Sequence, residues 1–287
     1  MTDLFTSPFT FARRETKLEE AKYAFLGVPY DGSESYRVGS RFAPRAIREA
    51  SREIEDYDMQ TGVNLLDIKI ADLGDIDVVH GNFMETHRRT ASVVTDVLEK
   101  GVIPLCIGGE HTISYSPLSA YEETPLIIIY DAHLDFRDDY MGEKFSHACV
   151  TRRIGELCGY ENIWVVGVRS AARGELEDAE KLGLRYLSFH RYHDGLDEIA
   201  RASKGRNIYL SIDMDVLDPK EASGVGNPEP PGFSYTELVE SMGFLCDANL
   251  VGFDLTEVAP PYDSYTPILA ANIIFKVLVK AKKSLVH

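Results

Sequence analysis

Short apolar runs alternate with helix-like segments along the chain, and this alternation restricts the fold more than any other feature. The runs are YAFLGV, LLDIKIADL, VIPLCIGG, PLIIIYDA, IWVVGV, RYLSF, NIYLSIDMD and LVGFDLTE. Between and after them lie segments such as APRAIREASREIE, FMETHRRTASVVTDVLEK, RGELEDAEKLG and YTPILAANIIFKVLVKAKK. Ser234 with Glu237 ahead of an apolar run has the form of a capping box and marks a helix start. Strand and helix repeated in this way predict a three-layer α/β/α arrangement. Its central sheet is mostly parallel, with about eight strands. The runs are nearly continuous in apolar residues, as strands buried on both faces should be. Ligands of such sheets bind beyond the carboxyl ends of the strands, and that is where the polar clusters of this sequence fall. No linker, repeat or low-complexity tract divides the chain, so residues 1–287 are expected to form one domain.

Bulk composition narrows the partners. The formal charge of −16 repels phosphate backbones, which argues against nucleic acid and suits a cationic small molecule. On charge alone, acidity for solubility explains it as well. Cys106, Cys149, Cys158 and Cys246 form no C-x-x-C pair and sit mostly in apolar surroundings. They are expected to be small buried hydrophobes in a reducing compartment. The opening residues lack a long apolar region, and the stretch 268–279 is too short for a bilayer. A cytoplasmic protein without membrane contact is the expectation.

Three clusters carry chemistry. Asp131-Ala132-His133-Leu134-Asp135 closes the run PLIIIY. In an extended segment alternate residues share a face, so Asp131, His133 and Asp135 point together and repel unless a cation lies between them. Taken alone, the cluster fits a polar strand end with a hydrogen-bonded histidine equally well. Asp213 and Asp215 follow the run NIYL and again share a face, although a helix cap or solvated loop explains the pair too. Asp218 before Pro219 reads as a turn residue. The third cluster, Gly108-Gly109-Glu110-His111-Thr112, turns out of a strand and sets His111 at a helix start. Glu110 carries no specific signal there and reads as a helix-start acid.

The combination says more than its parts. His111, Asp131, His133, Asp135, Asp213 and Asp215 project from three strand ends on one rim. Imidazole and carboxylate without thiolate suit Mn²⁺ or another borderline-hard divalent ion. Six such ligands, some bridging, suffice for two ions about 3.5–4 Å apart, which place a hydroxide at neutral pH.

In this order the clusters resemble the signatures of the ureohydrolase (arginase/agmatinase) family: GG-x-H, D-A-H-x-D and S-x-D-x-D-x-x-D-P. The resemblance extends along nearly the whole chain. Gly27-Val28-Pro29-Tyr30-Asp31-Gly32, Gly39, Arg41, Pro44, Arg45 and Arg48 look like its agmatinase branch. Gly226-Asn227-Pro228-Glu229-Pro230 and Asp254-Leu255-Thr256-Glu257 also match. The resemblance implies an arginase-like fold and two Mn²⁺ ions per subunit. His111, Asp131, Asp135 and Asp213 would hold one ion. Asp131, His133, Asp213 and Asp215 would hold the other, with Asp131 and Asp213 bridging. It further implies that Glu257 grips the substrate guanidinium, that Asp135 hydrogen-bonds the attacking hydroxide and that His147 relays a proton to the leaving amine. Urea and a primary amine are the implied products, and a trimer or hexamer the implied assembly. From the residues alone, His147 is a helix N-terminal residue and Glu257 a strand-end charge.

The loop after D-A-H-x-D bears on the substrate. Residues 136–145 lack the arginase pattern for an α-amino acid and resemble the agmatinase loop, so agmatine is expected. Asp138, Asp139 and Glu143 are either attractors for its amine or solvated loop residues. Arg137 either pairs with a neighbouring acid or reads a substrate carboxylate, which would favour guanidinobutyrate. Thr112, Asn227 and Pro231 depart from the usual serine, threonine and glycine of the family. Two other classes remain: a family member that binds metal without turnover, and a nucleotide-binding α/β protein. The second lacks its glycine fingerprint after the first run, where Gly27-Val28-Pro29-Tyr30 stands.

Overall fold

A computed structural model of the protein describes residues 9–283; the ends of the expected 1–287 span lie outside it. All eight apolar runs contain strands: β1 Tyr23–Val28, β2 Ile70–Asp75, β3 Ile103–Gly108, β4 Leu126–Tyr130, β5 Ile163–Val168, β6 Arg185–Ser188, β7 Asn207–Asp213 and β8 Asn249–Thr256. They form one sheet in the order β2-β1-β3-β8-β7-β4-β5-β6. Every neighbouring pair is parallel, so the sheet is wholly rather than mostly parallel. The run LLDIKIADL departs from expectation at its start. Residues Leu65–Asp67 make a 3₁₀ turn, because the Asn64 side chain accepts the Leu66 amide at 2.7 Å and caps it.

Burial explains why the runs are so apolar. All five residues of β4 are fully buried, and each such isoleucine contributes about 1.5–3 kcal/mol over an exposed one. The edge strands β2 and β6 are only partly covered, and their sequences are correspondingly more polar. Helices lie on both faces. Helices α1 (Ala43–Ser51), α6 (Tyr192–Ser203), α7 (Tyr235–Ser241) and α8 (Thr266–Lys283) pack one face through Ile47, Ile199, Leu238, Ile274 and Leu278. Helices α2 (Phe83–Glu99), α3 (Tyr115–Leu118), α4 (Val150–Cys158) and α5 (Arg173–Leu182) cover the other through Val94, Leu118, Ile154 and Ala179. The helix start expected at His111 is a 3₁₀ turn, His111–Ser114, that runs directly into the short α3. The capping box forms at α7: the Ser234 hydroxyl accepts the Glu237 amide, and the Glu237 carboxylate accepts the Ser234 amide at 2.8 Å. No cysteine is in a disulfide. Among the described residues no helix is long and apolar enough to cross a membrane.

The strand order has a chemical consequence. β3, β8, β7 and β4 are consecutive neighbours at the centre of the sheet. These are the four strands at or just beyond whose carboxyl ends GGEH, Glu257, Asp213 and DAHLD stand. Parallel pairing sends all four carboxyl ends to one rim, within about 14 Å across at ordinary strand spacing.

Candidate metal centre

Each arm of the rim leaves its strand differently. After β3 the chain turns through Gly109, where a Cβ would collide with the backbone of Tyr30. His111 then opens a 3₁₀ turn, Ile113 and its neighbours anchoring it in the core. After β4, Asp131 keeps sheet contact by donating its amide to Val166, and His133 bridges to Ser170. Asp135 breaks the extended path with φ of 49°. The expected shared face thus arises from a strand end followed by a left-handed residue. Asp213 ends β7, while Asp215 sits in the 3₁₀ turn Met214–Val216. Asp213 Oδ1 accepts the Asp215 amide at 2.8 Å, so this carboxylate is a helix cap while its other oxygen serves the cluster.

The donors converge. His111 Nδ1 lies 3.0 Å from Asp131 Oδ2, 3.2 Å from Asp135 Oδ2 and 3.3 Å from Asp213 Oδ2. His133 Nδ1 lies 2.8 Å from Asp215 Oδ2 and 3.6 Å from Asp131 Oδ1. Two sets result, His111–Asp131–Asp213 and Asp131–His133–Asp215, each with its donor atoms within 4.8 Å of one another. Asp131 belongs to both. All six residues named from the sequence are brought together.

This cluster demands positive charge. Among the described residues the ion-pair partners of the four carboxylates are His111 and His133, not lysines or arginines. Burial, then the charges of Asp215 and Asp131, push Asp213 well above the carboxylate range. Burial and the Asp131 charge push Asp135 up to about 7. Asp131 Oδ2 is buried without a hydrogen-bond donor aligned on it. The imidazole of His111 is oriented from behind: the Ser211 hydroxyl donates to Asp254 at 2.6 Å and so accepts from His111 Nε2 at 3.2 Å. A neutral ring turns its Nδ1 lone pair to three carboxylate oxygens; with no cation between them, and against the opposing effect of burial, those carboxylates raise His111 well above the usual histidine range. An imidazole nitrogen and converging carboxylates, without thiolate, fit hard or borderline divalent cations and not a zinc–thiolate site.

The cluster floors a cleft of about 220 Å³. Glu257 and His147 reach the same cleft. Glu257 follows β8 with φ of 64°, a left-handed geometry that costs a non-glycine residue roughly 1–3 kcal/mol. Its Oε1 accepts the His111 amide at 2.7 Å. Burial, then the charge of Glu34, push its carboxyl well up. His147 opens a 3₁₀ turn before α4; burial, then the charges of His133 and His111, lower it to about 4.

Several contributors were not legible in the sequence. Glu110 stands at a helix start, as read from the sequence, but is also fully buried, accepting from the Ser33 amide and hydroxyl at 2.6 Å each and from the Thr112 hydroxyl at 2.7 Å. Glu175 and Tyr140 line the cleft. Asp138, Asp139 and Glu143 do not; Asp138 instead pairs with Arg153 at 3.0 Å. Asp218 is the turn residue expected, accepting the amides of Lys220 and Gly232.

Known proteins place this geometry in context. The sequence model of the arginase family matches residues 21–280. The chain is 37% identical to the agmatinase of Bacillus subtilis over 94% of this chain and 95% of that protein. It is 33% identical to the guanidinobutyrase of Pseudomonas aeruginosa over 91% and 87% of the two chains. The crystal structure of agmatine ureohydrolase of Thermoplasma volcanium superposes with a TM-score of 0.90 at 37% identity, covering 98% of this chain and 97% of that one. Similarity that spans the sheet, the rim and both ends of the match makes the chain a member of the arginase family, the ureohydrolases.

Proposed function

We propose that this protein is a two-manganese agmatinase, hydrolysing agmatine to urea and putrescine, with residues 1–287 acting as one catalytic domain. The observation that carries the reading is the shared carboxylate: Asp131 stands in both three-residue donor sets, as a bridging ligand of a dinuclear centre would. His111, Asp131, Asp135 and Asp213 would hold one ion, and Asp131, His133, Asp213 and Asp215 the other. The ions would supply the charge that makes water nucleophilic near neutral pH.

The chain's own groups do the rest. Glu257, with Oε1 tied to the His111 amide, presents Oε2 to the guanidinium and holds its carbon over the donor cluster. Asp135 accepts a hydrogen bond from the attacking water. The new C–O bond forms as the bond from carbon to the chain-bearing nitrogen breaks. His147 hands a proton to that nitrogen, so guanidine and water become urea and amine. The relative named agmatinase and the acidity of the protein support agmatine. Arg137 at the cleft wall favours a second reading, a guanidino acid such as 4-guanidinobutyrate.

Urea release from Mn²⁺-loaded protein, assayed with agmatine, 4-guanidinobutyrate and arginine together with bound metal per chain, tests this. Two ions per chain and dominant turnover of agmatine are expected. Turnover of another guanidine overturns the substrate, and no urea from any overturns the hydrolase reading.

A further inference from the structure

The hydrogen bonds behind His147 have a direction, and it fixes which ring nitrogen faces the cleft. Ser33 Oγ lies 3.1 Å from His147 Nδ1 and 3.0 Å from the His147 amide nitrogen. The same hydroxyl lies 2.6 Å from Glu110 Oε1. A hydroxyl has one proton and two lone pairs. The His147 amide can only donate, so it takes one lone pair. Glu110 also receives the Ser33 amide and the Thr112 hydroxyl, and in its ionised form it can only accept. The Ser33 proton therefore goes to Glu110, and the second lone pair must accept from Nδ1–H. The Nε2 nitrogen is left bare, 3.5 Å from the Ser35 hydroxyl on the cleft wall.

From this we infer that Ser33 and Glu110 are positioning residues that hold His147 in its Nδ1–H tautomer, with Nε2 as the atom that takes and delivers the proton. The inference deepens the hydrolase reading and rests on it for the role of His147, though not for the tautomer itself. The neutral ring is the relevant form, since burial holds His147 largely uncharged near pH 7. A ring with the opposite tautomer would present Nε2–H to the cleft and have no lone pair there to accept a proton. When Nε2 is protonated, Nδ1–H keeps its bond to Ser33, and the charge is met by the Glu110 carboxylate one hydroxyl away. Nothing else need move: the proton arrives and leaves at one atom.

Long-range proton–nitrogen correlation spectra of ¹⁵N-histidine-labelled, metal-free protein at pH 9, where the Glu110 carboxyl is ionised and the His147 ring neutral, test the tautomer, with His147→Gln assigning the signal. An unprotonated Nε2 and a protonated Nδ1 are expected in the wild type. Ser33→Ala should mix the two tautomers, and Ser33→Thr should restore the first. In the Mn²⁺-loaded enzyme, Ser33→Ala should lower kcat by at least about tenfold with KM within about twofold, and Ser33→Thr should recover most of it. A wild-type Nε2–H tautomer, or an unchanged kcat in Ser33→Ala, overturns the inference. The wild-type spectrum decides it even where the alanine variant does not fold. Absence of urea from every guanidine would instead sink the hydrolase reading and leave the spectrum to stand on its own.

Discussion

The Ser211 hydroxyl lies 3.2 Å from Nε2 of His111, on the side of the ring turned away from the donor cluster. Ser211 passes its proton to Asp254, which also accepts from the buried Tyr209 hydroxyl at 2.7 Å. This chain points Nδ1 at the donor cluster, where a cation would displace its proton, and holds the ring in plane. Replacing Ser211 with Ala should therefore weaken metal binding about 10–100-fold without unfolding the protein, the usual cost of losing a group that orients a ligand. Metal titration of the apoprotein, followed by calorimetry, measures it. Unaltered affinity would mean that packing alone orients His111.

How much of this was legible beforehand follows from where partners lie in the sequence. β4 could be read from LIIIY because both its faces are buried, so its apolar content is continuous. Asp131, His133 and Asp135 could be read because they stand together at the end of that run. Glu110 could not, since the Ser33 it contacts lies 77 positions away and that contact exists only once β1 and β3 are paired. The neighbour relation of β3, β8, β7 and β4 was equally hidden, because apolar patterning says which segments are strands and not which are adjacent. Asp215 was legible as a member of the cluster, but not the way it gets there: it joins through a 3₁₀ turn, where alternation no longer applies.

Metal-free protein should lose stability as pH rises. Burial pushes both Glu110 and Asp135 up to about 7, so the folded state binds these protons more tightly than the unfolded chain does. Their contribution is fully present below about pH 4, where the unfolded carboxyls are also protonated, and is lost on the way up to pH 7. Asp213 and Glu257, shifted the same way, extend the loss upward. His147, lowered to about 4, opposes this below pH 6.5 but is a single group. In chelator, Tm should fall by roughly 5 °C or more between pH 5 and pH 8, and Mn²⁺ should recover most of it at pH 8. Scanning calorimetry across that range checks the sign; a Tm that rises would mean the cluster carries compensating cations.

Gly109→Ala should be far more damaging than its size suggests. The new Cβ would collide with the carbonyl of Tyr30, and backbone cannot yield as a flexible side chain can. Gly109 also accepts the Glu257 amide through its carbonyl at 2.9 Å, so a shift here moves both His111 and Glu257. A loss of about 2–4 kcal/mol together with weaker metal binding is expected. Gly174→Ala, in α5 with nothing within 4 Å of the added carbon, should change stability by less than about 1 kcal/mol. Denaturant titration of the pair compares them directly, and equal costs would remove the steric account.

Arg137 offers the sharpest test of what the cleft reads at the far end of its substrate. Its Nε lies 3.5 Å from Glu175 Oε2, and its guanidinium lies over the Tyr140 ring at 5.2 Å. Tyr140 in turn meets His147 edge-on at 5.6 Å. Glu175 is already engaged, accepting the Phe136 amide at 3.0 Å and the Ala172 amide at 2.7 Å. The cation on the cleft wall is thus only partly neutralised. It should oppose the distal ammonium of agmatine and favour the carboxylate of 4-guanidinobutyrate. Arg137→Ala should lower KM for the first and raise it for the second, each by about 3–10-fold, the range expected for one charge acting through several ångströms of partly wet protein. Changes in kcat should be small, because Arg137 stands apart from the donor cluster. Steady-state kinetics with both substrates separates charge reading from loop anchoring: opposite shifts belong to a residue that reads charge, whereas a common shift belongs to one that only fixes Tyr140 and the loop around it.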